Sequence, residues 1–165
     1  MNVVLVNHQR ARKIDLRLLK QITNALLAES KIQNAELEIH FVSAGEMTRI
    51  NKKFLQHGGS TDVLTFDYST PGGRTPDARR RLHGEIFICM DEAILQARTF
   101  RTTWQLEIVR YLIHAVLHLL GHDDSHTGTR RKMKRAENRL LRQLSRRFSL
   151  AQLARAVKLS TCKNR

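Results

Sequence analysis

The segment Ala35-Glu36-Leu37-Glu38-Ile39-His40-Phe41 decides how the first half of the chain folds. Its apolar residues alternate at positions 37, 39 and 41, which is the period of a strand with one buried face. Ser43 and Glu46 then form a capping box, so a helix is predicted to begin directly after this strand. Gly58 and Gly59 are predicted to end that helix. The segment therefore predicts a strand followed by a helix.

Short apolar runs predict three further strands, at residues 3–6, 62–66 and 84–89. Asp15 is placed to cap a helix between the first of these runs and the segment quoted above. The connection of residues 67–83 is long for a compact domain and carries several arginines. Long loops of this kind are usually functional or mobile, so we expect it to flank a substrate.

The second half of the chain has helical periodicity. Asp91 is predicted to cap a helix, residues 106–120 form a strongly apolar helix that we expect to be buried, and a basic helix is predicted from about 129 to 147. Strands and helices interleaved early, followed by helices alone, predict an α+β or α/β domain whose small sheet is covered by helices. We expect residues 1–147 to form this domain and residues 148–165 to form a basic C-terminal extension.

The composition is that of a folded, soluble protein. A chain of 165 residues is long enough for one domain with a buried core and too short for two of ordinary size. Apolar residues at 41% and charged residues at 27% exclude a wholly disordered chain. No apolar run approaches the roughly 18 residues of a membrane span, so we expect a cytoplasmic protein without a membrane partner. Two cysteines, Cys89 and Cys162, are too few for a disulfide framework.

The net charge of +14 is concentrated in the C-terminal part of the chain. Residues 127–165 hold thirteen Lys and Arg but one acidic residue, Glu137. A basic excess of this size favours a polyanionic partner, and nucleic acid is the first candidate. A solvated tail that only aids solubility is the alternative. On the predicted basic helix, the candidates for RNA binding are Arg130, Arg131 and Lys134.

The stretch His114-Ala115-Val116-Leu117-His118-Leu119-Leu120-Gly121-His122-Asp123-Asp124 points most strongly to a function. Histidines four residues apart on a helix project from one face and can bind one metal ion. Gly121 is predicted to end the helix and turn the chain back, which brings the polar cluster of residues 122–126 towards both histidines. A catalytic zinc site takes three protein ligands, and this stretch supplies them. Ala115 stands where the best-known zinc proteases carry a glutamate base, so their mechanism is not expected.

Three blocks of the chain together resemble the YbeY-type endoribonucleases, which act in ribosomal RNA maturation. Ser60-Thr61-Asp62-Val63-Leu64-Thr65-Phe66 is similar to a segment of that family, Gly84-Glu85-Ile86-Phe87-Ile88-Cys89 is similar to one of its strands, and the stretch from His114 to Asp124 is similar to its histidine signature. The resemblance covers about residues 1–145. It implies an α+β fold with a central mixed sheet, and a cleft with basic surroundings in which the signature residues hold zinc or a similar divalent ion.

Two departures from the family pattern bear on mechanism. Asp124 stands where the third signature histidine is expected, so the resemblance implies His114, His118 and Asp124 as metal ligands, with His126 as the rival for the third place. Two histidines with one carboxylate are a known catalytic zinc set. The second departure is Leu55, which occupies the position of an arginine that is a candidate for phosphate contact in many members. If an arginine supports the scissile phosphate here, another part of the chain must supply it.

The resemblance implies a single-strand-specific, zinc-dependent endoribonuclease that acts in the maturation of ribosomal RNA 3′ ends and in ribosome quality control. His114 and His118 are its expected catalytic residues, and its expected partners are single-stranded ribosomal RNA or its precursor and ribosomal proteins. The alternative is a non-catalytic RNA-binding factor of ribosome assembly whose metal site is structural, which a fourth ligand such as His126 would favour. A metallohydrolase of small molecules or peptides is disfavoured by the basic C-terminal segment.

Overall fold

Within the part of the chain that the structure describes, four strands form a mixed sheet, and they are β1 (Asn2–Asn7), β2 (Asn34–Val42), β3 (Val63–Asp67) and β4 (Arg81–Cys89). The structure is a computed structural model, and it describes residues 1–56, 58–69 and 81–154. The spatial order of the strands is β1-β2-β4-β3. β2 is parallel to both of its neighbours, whereas β3 is antiparallel to β4. The mixed pairing that the resemblance implied is therefore confirmed.

In the described residues, five α-helices accompany the sheet, and they are α1 (Leu16–Glu29), α2 (Ala44–Phe54), α3 (Met90–Phe100), α4 (Trp104–Leu119) and α5 (Thr127–Arg147). Helix α4 is central, because it contacts β3, β4, α3 and α5. As its apolar sequence predicted, α4 is buried along most of its length. The described residues form the predicted α+β domain, in which helices cover a small mixed sheet.

Strand β2 shows how the sheet acquires an apolar face. Leu37, Ile39 and Phe41 are buried, whereas Glu36 and Glu38, which alternate with them on the opposite face, are exposed. The three apolar side chains join one hydrophobic cluster with residues of α1, α3, α4 and α5. Full burial of such a side chain contributes about 1.5 to 3 kcal/mol to folding. The alternation read from the sequence therefore identifies the face on which the helices pack.

Gly84 sets how closely α4 approaches the sheet. A Cβ atom at this position would lie 2.7 Å from the carbonyl oxygen of Phe66 and 3.2 Å from side-chain carbons of Leu119. Only a residue without a side chain fits here without displacing its neighbours. Because Leu119 directly follows His118, this close approach fixes the end of α4 against β4.

Asp15 and Ser43 begin α1 and α2 as predicted. The Asp15 carboxylate accepts a hydrogen bond from the backbone N–H three residues on, at 2.9 Å, and the Ser43 hydroxyl does the same at 3.3 Å. Helix α2 ends at Phe54, earlier than the predicted stop at the glycine pair. Gln56 has a φ of +54°, which takes the chain out of the helical conformation before the glycines are reached.

The predicted cap at Asp91 is wrong. Helix α3 begins at Met90 without any loop after β4, so Asp91 lies inside the first turn and makes no cap for its own helix. Its carboxylate instead accepts a hydrogen bond of 2.6 Å from the backbone N–H of Ala44. Asp91 therefore places a negative charge at the positive end of α2, a neighbouring helix.

The chain continues to pack on the core beyond α5. A short 3-10 helix spans Leu150–Ala154, and Leu150 and Leu153 are buried. The carbonyl oxygen of Leu153 also accepts a hydrogen bond of 2.9 Å from the backbone N–H of Asp15. A truncation that removes only the basic tail must therefore retain residues up to Ala154.

Two predicted features fall outside the described residues. They are residues 70–80 of the long connection and residues 155–165 of the basic extension. Of the helices that the structure does describe, none combines the length and the apolar character needed to cross a membrane.

Candidate metal centre

His114 and His118 lie one turn apart on the same side of α4, near its C-terminal end. Their side chains are 27% and 29% exposed, on a helix that is otherwise largely buried. Their Nε2 atoms are 3.0 Å apart, and the ring planes meet at 80°. The structure thus brings the two histidines together at one point, as their spacing predicted.

Gly121 turns the chain so that a carboxylate reaches the two histidines. Its φ of +87° lies in the left-handed region that favours glycine. The chain then folds back, and the N–H of His122 donates to a carbonyl oxygen of the last turn of α4 at 3.0 Å. As a result, Oδ2 of Asp124 lies 3.8 Å from Nε2 of His114 and 3.7 Å from Nε2 of His118.

These three side chains could hold one metal ion. With zinc–ligand bonds of about 2.0 to 2.2 Å, tetrahedral neighbours stand roughly 3.3 to 3.6 Å apart. The observed separations of 3.0, 3.7 and 3.8 Å lie close to that range, and two imidazoles with a carboxylate are a donor set that zinc accepts. His126 is exposed at the start of α5 and is not part of this group.

The Nδ1 atoms of both histidines lie against hydrogen-bond acceptors. Nδ1 of His118 is 3.1 Å from the carbonyl oxygen of His122, and Nδ1 of His114 is 3.3 Å from Oε2 of Glu137. A carbonyl and an ionised carboxylate can only accept, so in each neutral ring Nδ1 carries the proton and Nε2 carries the lone pair. Metal-ligating histidines are commonly oriented in this way.

Glu137 is the buried carboxylate behind the ligands, with an exposed fraction of 4%. Its Oε1 accepts hydrogen bonds from Nζ of Lys134 at 2.8 Å and from the Arg110 guanidinium at 3.1 Å. Burial by itself raises the pKa of Glu137, but the hydrogen bonds from His114 and the two cations outweigh it and lower the pKa to about 2. The carboxylate is therefore ionised at neutral pH, and it links α4 to α5.

A cleft of about 230 Å³ opens on one side of the candidate metal centre. Its lining includes His114 and Asp124 together with the cationic side chains of Arg110, Arg130 and Lys134. Nε of Arg130 donates to the carbonyl oxygen of Asp124 at 2.9 Å, which holds this guanidinium next to the ligand loop. The arrangement can place a bound ion and several positive charges around one anionic group.

The three predicted RNA-binding residues divide into two groups. Arg130 and Lys134 line the cleft, whereas Arg131 is exposed elsewhere on the surface of α5. A helix turns by about 100° per residue, so neighbouring positions face different directions. Leu55, at the position of the family's arginine, is 44% exposed where α2 ends. Within the described residues, the arginines that line the cleft are Arg110 and Arg130.

Glu137 and Arg110 are site residues that the sequence-based reasoning missed, although both stand out in the sequence. Glu137 is the lone acidic residue of the segment 127–165. Arg110 is a charge within an apolar helix, one turn before His114. Charges in such surroundings require partners, and these two side chains pair with each other.

Comparisons with known proteins show which family the chain is similar to. The model of the family described as Endoribonuclease YbeY matches residues 4–145. A relative from Chlorobium luteolum, named Endoribonuclease YbeY, is 32% identical over 86% of this chain and 97% of its own length. A relative of the same name from Chlorobium phaeovibrioides is 33% identical over 87% of this chain and 91% of its own length.

A solved structure shares the fold at lower sequence identity. The solution structure of TM1509 from Thermotoga maritima superposes with a TM-score of 0.63 at 19% identity, covering 94% of this chain and 97% of that one. The family match spans nearly the whole described domain, including α4, the ligand loop and most of α5. The chain therefore belongs to the YbeY family.

Proposed function

We propose that this chain is a zinc-dependent endoribonuclease that cleaves single-stranded RNA. His114, His118 and Asp124 hold the ion, and the two histidines are the catalytic residues. The observation that carries the proposal is the convergence of three ligand side chains beside a cleft whose lining includes three cationic side chains. Catalytic zinc sites have three protein ligands, whereas structural sites are closed by four. The printed name of the relatives, endoribonuclease, supports the reaction class.

The cationic residues of the cleft are proposed to bind the phosphate groups of the strand. A bound divalent ion supplies Lewis-acid activation of water and of a phosphoryl oxygen. Arg130 uses Nε on the Asp124 carbonyl oxygen, which leaves its other guanidinium donors for a phosphate. Lys134 uses one of its three donors on Glu137 and adds positive charge beside Arg130. These two cations replace the family's arginine, where this chain carries Leu55.

We extend the proposal to ribosomal RNA or its precursor as the substrate, with action in the cytoplasm in the maturation of 3′ ends and in ribosome quality control. The family resemblance supports this part of the proposal, with ribosomal proteins as neighbouring partners. The thirteen basic residues of the segment 127–165 favour a long polyanion over a small substrate. Arg131 is assigned to the same RNA surface, outside the cleft.

Zinc content and RNA cleavage, measured on the same preparations, test the proposal. The wild type, His118→Ala and the matched control His126→Ala are purified free of contaminating ribonuclease and given single-stranded and duplex RNA. We expect the wild type and the control to retain the zinc ion of this site and to cleave single strands, and His118→Ala to lose both that ion and cleavage. Equal cleavage by His118→Ala and the wild type contradicts the proposal. A zinc-loaded wild type that binds RNA without cleaving it indicates the non-catalytic assembly factor instead.

A further inference from the structure

A second group of potential ligands lies on the other face of the sheet. Glu38 and His40 are two residues apart on β2, so their side chains share a face, and Glu85 is the register partner of Glu38 on β4. Gly84 faces Leu119 of α4, as its closest contacts show. Glu85, the next residue on the strand, therefore points away from α4 and from the first group.

His40 contributes a buried nitrogen that lacks a hydrogen bond. The residue is 9% exposed, and its Nε2 has no hydrogen-bond partner among the described residues. Nε2 nevertheless lies 3.0 Å from Oε1 of Glu85 and 3.5 Å from Oε1 of Glu38. Both carboxylate oxygens are thus near Nε2, but neither lies along the direction in which an N–H at Nε2 would point, so neither forms a hydrogen bond with it. A buried polar atom in such surroundings costs free energy unless something else satisfies it.

Neighbouring side chains hold the His40 ring in this position. Its Nδ1 lies 3.0 Å from Nε2 of His8, and its ring stacks on Phe87 with centroids 4.6 Å apart and an angle of 12° between the planes. When His40 donates from Nδ1 to His8, its Nε2 has the lone pair that a metal requires. The Tyr68 hydroxyl donates to Oε2 of Glu85 at 2.8 Å and so leaves Oε1 directed at His40.

We propose that Glu38, His40 and Glu85 form a second binding site for a divalent transition-metal ion such as Zn²⁺. Their ligand atoms lie within 4.8 Å of one another. The separations of 3.0 and 3.5 Å from Nε2 are close to the roughly 3.3 Å expected between tetrahedral zinc ligands. One imidazole and two carboxylates suit zinc, and the ion offsets two negative charges that face each other across adjacent strands. The site joins β2 to β4 and has a structural role.

Metal stoichiometry distinguishes the two sites. Each protein is loaded with a small excess of Zn²⁺, passed through a gel-filtration column and analysed for zinc per chain. We expect about two zinc ions for the wild type, one for His118→Ala, one for Glu85→Gln, and none for the double variant. The matched control Glu36→Gln removes a carboxylate from the same strand and face but from outside the group, and it should keep both ions.

Glu38→Gln provides a second test in which loss of folding is not an issue, because its side chain is 52% exposed. This variant should also lose one ion, and in the His118→Ala background it should lose the rise in thermal midpoint that Zn²⁺ produces. The proposal is overturned if Glu38→Gln and Glu85→Gln both bind as much zinc as the wild type. It is also overturned if the wild type binds a single zinc ion and only His118→Ala removes it. Neither result depends on RNA cleavage.

Discussion

The carboxylate of Glu137 on α5 lies 3.3 Å from Nδ1 of His114 on α4, and it is nearly inaccessible to solvent. The same carboxylate accepts hydrogen bonds from one cation on each of these helices. A single buried side chain therefore orients a ligand histidine and fastens together the two helices that flank the cleft. Orientation of the ligand and stability of the fold are coupled at this residue.

Replacing Glu137 by glutamine should weaken zinc binding by about 10- to 100-fold, because the amide is a poorer acceptor for the His114 N–H. Competition with a chromophoric zinc chelator measures the affinity. Glu107→Gln is the matched control, since Glu107 is equally buried and pairs with Arg110 but does not contact a ligand histidine. If both variants weaken zinc binding equally, Glu137 acts only through general stability.

The metal-free protein should lose stability in acid when the Glu137 carboxylate becomes protonated. The pKa of Glu137 is lowered from 4.5 to about 2 in the folded state. Its contribution is therefore fully present above pH 4.5 and is lost as the pH falls towards 2, with a size of roughly 3 kcal/mol. Urea unfolding of the wild type and Glu137→Gln, both with chelator, should show a stability difference that shrinks across this interval. A difference that stays constant from pH 6 to pH 2 contradicts the assignment.

Asp124 should be the third ligand and should be replaceable by the histidine that the family pattern places there. Asp124→Ala should lose the zinc ion of the His114 and His118 site, because two histidines alone form an incomplete site, whereas Asp124→His should retain it. His126→Ala should retain zinc because His126 lies outside the group. Zinc analysis of the three purified variants decides between the two candidates. Loss of zinc in His126→Ala but not in Asp124→Ala reverses the assignment.

Arg130→Gln should weaken the binding of single-stranded RNA and reduce the salt slope of its affinity by about 0.7, the value for one phosphate contact. Arg139→Gln removes the same charge from the same helix, but position 139 lies about 180° around α5 from position 130. This control should slow RNA cleavage much less than Arg130→Gln does. Filter binding at several salt concentrations, with cleavage rates, provides the measurement. If the two variants have equal effects, Arg130 contributes only to the overall positive charge of the helix and makes no specific contact with RNA.

Truncation after Ala154 should remove the four basic residues of the tail and leave the fold and the zinc content intact. RNA binding at physiological salt should become weaker, and the salt slope shallower, because fewer counterions are released. Truncation after Arg147 should instead destabilise the protein, since it also removes the buried Leu150 and Leu153. Thermal unfolding of both truncated chains tests the difference. If the salt slope of RNA binding is unchanged by truncation after Ala154, the tail is only a solvated appendage.

Local patterns in the sequence were sufficient for much of the fold and for the core of the candidate site. The alternation on β2, the caps at Asp15 and Ser43, and the four-residue spacing of His114 and His118 each depend on residues close together in the chain. Gly121 could likewise be recognised from the residues around it. Such features follow from backbone geometry and hydrogen bonding within a few residues.

The features that could not be predicted depend on contacts between distant parts of the chain. Asp91 looked like a cap for its own helix, but the absence of a loop after β4 turns it towards α2. Glu137 acquires its role only because α4 and α5 pack side by side. Glu38 and Glu85 likewise become neighbours through strand pairing, which a one-dimensional pattern does not reveal.

The charges that line the cleft have one further consequence. Among the described residues, the charged side chains that line it are four carboxylates and three cations, so together they carry one more negative than positive charge despite the basicity of the chain. These side chains are Asp62, Glu107, Asp124, Glu137, Arg110, Arg130 and Lys134. A divalent ion reverses that sign. The cleft would then attract a phosphodiester strand only while the ion is in place, and by thermodynamic reciprocity a bound strand would tighten the hold on the ion by the same factor. The cleft would thus bind RNA only when the metal ion is bound.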